Sequence, residues 1–104
     1  TTSSRFIVYK LIDGLRPERI SIARCPVKMD CPYPGWAQQD PMEILASVNE
    51  CILEVAKDIK EKFGRSLKDC LTAIGITNQR ETTIAWNSST SQPLSPAIRT
   101  KKVY

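Results

Sequence analysis

The stretch from Asp40 to Gly64 constrains this chain more than any other, because it spells a long helix with both ends marked. Asp40 is a residue type that accepts hydrogen bonds from the free N–H groups of a first turn. Pro41 suits the first helical position, and Glu43 follows three residues after the cap as in a capping box. Gly64 supplies a stop, since glycine takes the left-handed conformation that ends helices. Between these marks apolar residues recur at Ile44, Leu45, Val48, Cys51, Ile52, Val55, Ala56, Ile59 and Phe63. That spacing lays one continuous stripe along one side of a helix. Such a stripe is a core face, and it needs a sheet to cover it.

Candidate strands lie on either side. Thr1 to Ser4 form a hydroxyl-rich turn, and residues 6–9 (FIVY) are a short β-branched and aromatic run. Asp13-Gly14 and Pro17 signal a turn. Residues 19–25 alternate through Ile20, Ser21 and Ile22, the period of a half-buried strand. Together they predict an antiparallel hairpin. Residues 30–36 (DCPYPGW) hold two prolines and a glycine and read as a rigid loop. After the helix, residues 71–76 and 84–86 are apolar and are expected as strands. The polar turn NSSTSQP separates them from a last apolar run, LSPAI, and the tail RTKKVY is basic without periodicity. The order is strand, strand, loop, helix, strand, strand, which is an α/β or α+β arrangement. A helix joining parallel strands of one sheet would be a right-handed crossover. One helix covers only one face of a sheet, so the other face is expected to be bare.

At 104 residues the chain is one domain at most, able to remove roughly 60–70% of its unfolded surface from water. Its 41% hydrophobic and 25% charged content belongs to soluble globular chains. The net charge of +4 is a mild excess of 15 basic over 11 acidic residues. The densest basic group, Lys57, Lys60, Lys62, Arg65 and Lys68, is interrupted by Asp58, Glu61 and Asp69 and reads as a solvated helix face. No nucleic-acid-binding module signature accompanies it, so no nucleic-acid partner is expected. Cys25, Cys31, Cys51 and Cys70 lack C-x-x-C spacing, and there is no histidine, so the usual zinc sets do not fit. Cys51 on the helix stripe reads as a reduced buried thiol; disulfides in a secreted domain are the alternative. No signal sequence and no apolar run approaching a membrane span is visible. The chain begins without methionine, which suggests a fragment.

The densest polar cluster, Asn78, Gln79, Arg80, Glu81, Thr82 and Thr83, sits between two apolar runs. Adjacent strand side chains point to opposite faces, so Arg80 and Glu81 share a ligand only if the backbone leaves strand geometry. Arginine offers donors only and glutamate acceptors only, a pairing that suits a neutral polyol. The other reading is a surface ion pair, worth about 0–1 kcal/mol. Residue types alone leave both open.

GITNQRETTIAW, residues 75–86, resembles the signature of the glycerol-kinase branch of the FGGY carbohydrate-kinase family. YPGWAQQDPMEI, residues 33–44, is similar to the family's PGW-x-x-x-DP-x-EI stretch. TTSSRF at the start resembles the end of its phosphate-binding DQGTTSSR loop, and PLSPAI its PLYNAI-type strand. These motifs occur in family order across almost the whole chain. The resemblance implies that residues 1–98 are part of an actin-like, ribonuclease-H-like ATPase domain of α/β class, with 99–104 a divergent basic tail. It implies that Thr1, Thr2, Ser3 and Arg5 bind the phosphates of ATP, and that Arg80 and Glu81 hold glycerol. The reaction implied is transfer of the ATP γ-phosphoryl group to a terminal hydroxyl with Mg2+ present, in a cytoplasmic protein that is homo-oligomeric at full length. From the residues alone, Thr1 to Ser3 read equally as a solvated terminus and Arg5 as a surface arginine.

The sequence also departs from that family. No Asp-Gln-Gly precedes TTSSR, and with it the family's magnesium-associated carboxylate and first strand are absent. Arg99-Thr100 follow Ile98 directly, where the family carries a Trp-x-Asp type segment. None of the acids here has a motif that marks a catalytic base. Two expectations follow: a piece of a kinase that is inactive alone, or a truncated, non-catalytic form acting as an interaction module. An unpaired sheet edge, where the first strand would pair, is expected to promote association.

Overall fold

The computed structural model describes residues 3–79 and 82–100, the side chains of 99 and 100 excepted. Strand β1 (Ser3–Ile12) and strand β2 (Arg16–Pro26) form the predicted antiparallel hairpin, both strands longer than their apolar cores. The turn falls at Asp13-Gly14, where both residues take positive φ (55° and 71°) and the Leu15 N–H reaches the Ile12 carbonyl at 3.2 Å. Asp is among the few non-glycine residues that tolerate this conformation.

The helix α1 (Pro41–Phe63) has the expected ends. Asp40 Oδ1 accepts from the Met42 N–H at 2.9 Å, and Gly64 closes the C-terminus at φ 66°. Glu43 does not turn back to complete a box on its own cap. Its Oε1 accepts from the Lys28 N–H at 3.2 Å, tying the helix start to the segment after β2.

α1 packs on one face of the hairpin, with Val8, Ala23, Cys25, Cys51, Val55, Ile59 and Leu67 as the buried cluster. The face of β2 turned to the helix is Ser21, Ala23 and Cys25, while Ile22 is 44% exposed. Regular alternation from Ile20 fails because the register shifts between Val8 and Tyr9: Val8 pairs with Ser21 but Tyr9 with Arg19. Ile20 is the extra residue of this β-bulge and packs against the buried cluster. The carbonyl of Ile20 accepts from Lys62 Nζ at 3.5 Å.

Two hydroxyl contacts fix the helix on the sheet. Ser47 donates to the Ile44 carbonyl at 2.6 Å, so its contact with Ser4 Oγ, also 2.6 Å, uses the Ser4 proton. Ser21 Oγ donates to Asp58 Oδ2 at 2.5 Å, and Lys62 Nζ lies 3.0 Å from the same oxygen. The hydrogen bond from Ser21, then that from Lys62, hold the Asp58 carboxyl below its ordinary value, against a smaller upward push from burial. A carboxyl with a depressed folded pKa stabilises above its unfolded pKa and loses that contribution as pH falls through the folded one. Urea midpoints of the native chain are therefore expected to fall more steeply from pH 5 to pH 2 than those of Ser21→Ala. Equal slopes would remove Asp58 from the acid sensitivity.

All four cysteines are free thiols, with Cys25 and Cys51 buried and Cys31 and Cys70 exposed. Cys51 Sγ donates to the Ser4 carbonyl at 3.6 Å. The hydrogen bond with the Cys51 thiol beside it, then burial, then smaller electrostatic contributions including those of Glu50 and Glu54, push the Cys25 thiol up to about 12.

The second half differs from expectation. Residues 71–76 and 84–86 form no strands; Thr83 and Trp86 make only isolated bridges, to Ile98 and Pro93. A strand exists through its ladder partner, and 71–76 have none: a groove of about 580 Å³ lies between Val8–Leu11 and Leu71–Ala73. Ile74 and Ile76 are left 70% and 93% exposed. A short helix, α2 (Leu67–Cys70), precedes this segment and places Leu67 in the core. The expected strand at PLSPAI is present at its end: β4 (Ala97–Thr100) includes Ala97 and Ile98 and runs on into the residues expected as tail. It pairs antiparallel with β3 (Trp36–Gln39), of which only Trp36 falls in the stretch expected as a rigid loop, burying Ala37 and Ala97. The polar turn is present: Asn87 Oδ1 accepts from the N–H groups of Ser89 and Thr90. The described residues thus hold two separate two-stranded sheets and no parallel pair. The radius of gyration is 16.8 Å, against about 13 Å for a compact domain of this length.

Candidate functional site

Ser3 opens β1, and its neighbours show which way it faces. Ser4 contacts Ser47 of α1 and Phe6 packs on the core, so both point to the helix. By strand alternation Ser3 and Arg5 share the opposite face, the one α1 leaves uncovered. The structure therefore brings two of the expected phosphate-contacting residues together. Ser3 Oγ accepts from Arg24 Nε of β2 at 3.1 Å. Arg24 is also the cross-strand partner of Arg5. The sequence reading missed Arg24, whose place opposite Arg5 depends on the register, and the bulge at Ile20 is what sets it. Thr1 and Thr2, expected on the same ligand, lie outside the described residues.

Arg80 and Glu81 also lie outside them. Their described neighbours are informative. Residues 77–79 belong to no strand or helix, and Thr83 rejoins ordered pairing through its bridge to Ile98. Thr82 Oγ1, next to Glu81, is a buried oxygen with no hydrogen-bond partner. Leaving such a hydroxyl unsatisfied costs about 1–3 kcal/mol.

A second concavity, of about 520 Å³, is lined by Lys28, Asp30, Gln38, Asp40, Glu43 and Pro93–Pro96. Much of its polar wall is engaged internally. Gln38 Nε2 donates to Asp30 Oδ2 at 3.3 Å, Gln38 Oε1 accepts from Trp36 Nε1 at 3.1 Å, and the backbones of Asp30 and Gln38 bond in both directions at 2.8 and 2.9 Å. Asp40 and Glu43 serve the helix start. These bonds tie the helix entry to the segment after β2 and join that segment to β3.

Among the described residues, Ser3 and Arg24 meet on the uncovered face of the hairpin, and Thr82 carries a buried hydroxyl without a partner. A sequence profile of the N-terminal domain of the FGGY family of carbohydrate kinases matches residues 1–102, and the chain belongs to that family. Among curated relatives it is 46% identical over 100 residues to a probable glycerol kinase of Dictyostelium discoideum, covering 94% of this chain and 17% of the relative. It is 45% identical to a glycerol kinase of Arabidopsis thaliana and 44% to one of Caldanaerobacter subterraneus, covering 94% of this chain and 18% of each relative. The chain thus spans less than a fifth of the length of the relatives it matches. Among the described residues no helix is long and apolar enough to cross a membrane.

Proposed function

We propose that this chain is the N-terminal part of a glycerol kinase, an enzyme that transfers the γ-phosphoryl group of ATP to glycerol. The observation that carries the reading is the similarity of nearly the whole chain to proteins named glycerol kinase in three distant organisms. In this reading residues 1–98 are part of an actin-like ATPase domain, and 99–104 are a divergent basic tail. The whole protein works in the cytoplasm as a homo-oligomer.

Ser3 and Arg5, with Thr1 and Thr2, face the phosphates of ATP. Arg80 donates to glycerol hydroxyls and Glu81 accepts from them. Mg2+ is a hard cation that takes oxygen ligands. The groups gathered at Ser3 and Arg5 are mainly donors, so they fit the phosphate and not the metal, and no ligand to Mg2+ is assigned in this chain. The catalytic base is likewise assigned to no residue here.

Glycerol titration followed by the amide resonances of residues 78–83 tests the substrate side. Saturable shifts are expected, with Arg80→Ala and Glu81→Ala each weakening binding about tenfold or more, the worth of one charged hydrogen bond. Incubated with ATP, Mg2+ and glycerol, the 104 residues alone are expected to form no glycerol 3-phosphate. Absent shifts, or affinity indifferent to both substitutions, would overturn the polyol site.

A further inference from the structure

We propose that Arg24 is a phosphate-binding residue, completing with Ser3 and Arg5 an anion site on the uncovered face of the hairpin. Two arginines stand directly opposite each other, since Arg5 and Arg24 are register partners on neighbouring strands. Like charges in that relation destabilise a sheet. Nothing in the described structure offsets them: Arg5 has no side-chain hydrogen bond or ion pair there, and the one bond of Arg24 goes to a neutral hydroxyl. Both side chains are exposed. The next pair on this face is Ile7 with Ile22, and beyond Ser3 lies Pro26, so no acid neighbours the pair along either strand.

The hydrogen bond to Ser3 adds direction to the charge. Arg24 uses Nε–H on Ser3 Oγ, which leaves both terminal nitrogens of the guanidinium free to donate. Ser3 Oγ, accepting that bond, keeps its own proton to donate outward. Two planar forks and one hydroxyl are thus carried on one face of the hairpin at the start of β1. Arginine forks match the paired oxygens of a phosphate, and each charged hydrogen bond is stronger than its neutral counterpart. The ligand class is a phosphoryl chain, and on the reading proposed above it is that of ATP. The inference rests on that reading for the nucleotide, and on the register alone for the anion.

The test is titration of the isotopically labelled chain with inorganic triphosphate and separately with ATP at low salt, following the Arg5 and Arg24 Nε–H resonances. Both resonances are expected to saturate with one dissociation constant for ATP. Arg24→Gln should weaken it about three- to tenfold, as should Arg5→Gln, and Arg24→Lys should restore part of the loss through its charge. Thermal melting of Arg24→Gln is expected to be unchanged or slightly raised, because like-charge repulsion is relieved; a purely structural arginine would lower it. If Arg5→Gln weakens ATP and Arg24→Gln does not, the role of Arg24 is overturned while the ATP reading stands. If triphosphate binds through both arginines but ATP does not, Arg24 stands as an anion ligand and the nucleotide reading falls. If neither ligand moves either resonance, the site is overturned.

Discussion

Val55→Asp is expected to abolish the folded state. Val55 is 1% exposed and sits at the centre of the stripe that α1 lays on the hairpin, between Cys51 and Ile59. An aspartate there would have to be buried uncharged or dragged into water with the helix. None of the neighbours in that cluster carries a positive charge to meet it. The milder Ile59→Ala, at a residue 2% exposed, is expected to cost about 2–5 kcal/mol through lost contacts and a cavity. Domains of this size hold only about 5–15 kcal/mol in all. The control is on the same helix: Leu53 is 71% exposed, so Leu53→Asp should leave the melting temperature nearly where it was. Far-ultraviolet circular dichroism with thermal melting reads all three. A cooperative transition in Val55→Asp like that of the native chain would show that α1 is not seated on this core.

The second large effect concerns association. The isolated chain should form concentration-dependent assemblies, because apolar surface that one helix cannot cover remains open. Leu11 and Tyr9 on β1 are 62% and 54% exposed, Phe63 is 49% exposed, and Ile74 lies beyond at 70%. Among the described residues β1 pairs only with β2, which leaves its other edge without a ladder partner beside the groove. Unpaired edges of this kind recruit other chains. Leu11→Lys together with Ile74→Lys places charge on the groove wall and on the exposed segment just beyond it, and should return the chain to monomer. Light scattering after size-exclusion chromatography reads the mass. A native chain that stays monomeric across a hundredfold concentration range would mean that the edge is protected.

What could be read from residue order was what short-range chemistry decides. Asp40, Pro41 and Gly64 mark the helix ends because caps act within one turn, and Asp13-Gly14 marks the hairpin because a tight turn needs positive φ. Residues 71–76 look like a strand by composition and are not one, since pairing depends on a neighbour distant in sequence. β3 was hidden for the converse reason. Its four residues, WAQQ, carry little apolar pattern and gain their order from β4, some sixty residues later. Ile20 and Ile22 suggested one inward face, and the bulge turned the small residues inward instead. At the site, Ser3 and Arg5 were visible through a motif. Arg24 was not, because only the register brings it to them. Arg80 and Glu81, outside the described residues, remain a sequence observation.

The bulge at Ile20 also sets where this hairpin can change length over evolutionary time. Between Asp13 and Ile20 the strand pair is solvent-facing and already accommodates one surplus residue, so insertions or losses there leave the helix-bearing end untouched. From Ser21 onward a single-residue slip would present Arg24 to α1 and turn Ala23 and Cys25 to water, severing the core and dispersing the paired guanidiniums in one step. Length variation among descendants of this chain should therefore collect at the hairpin tip, with the spacing from Ser21 to Cys25 held constant.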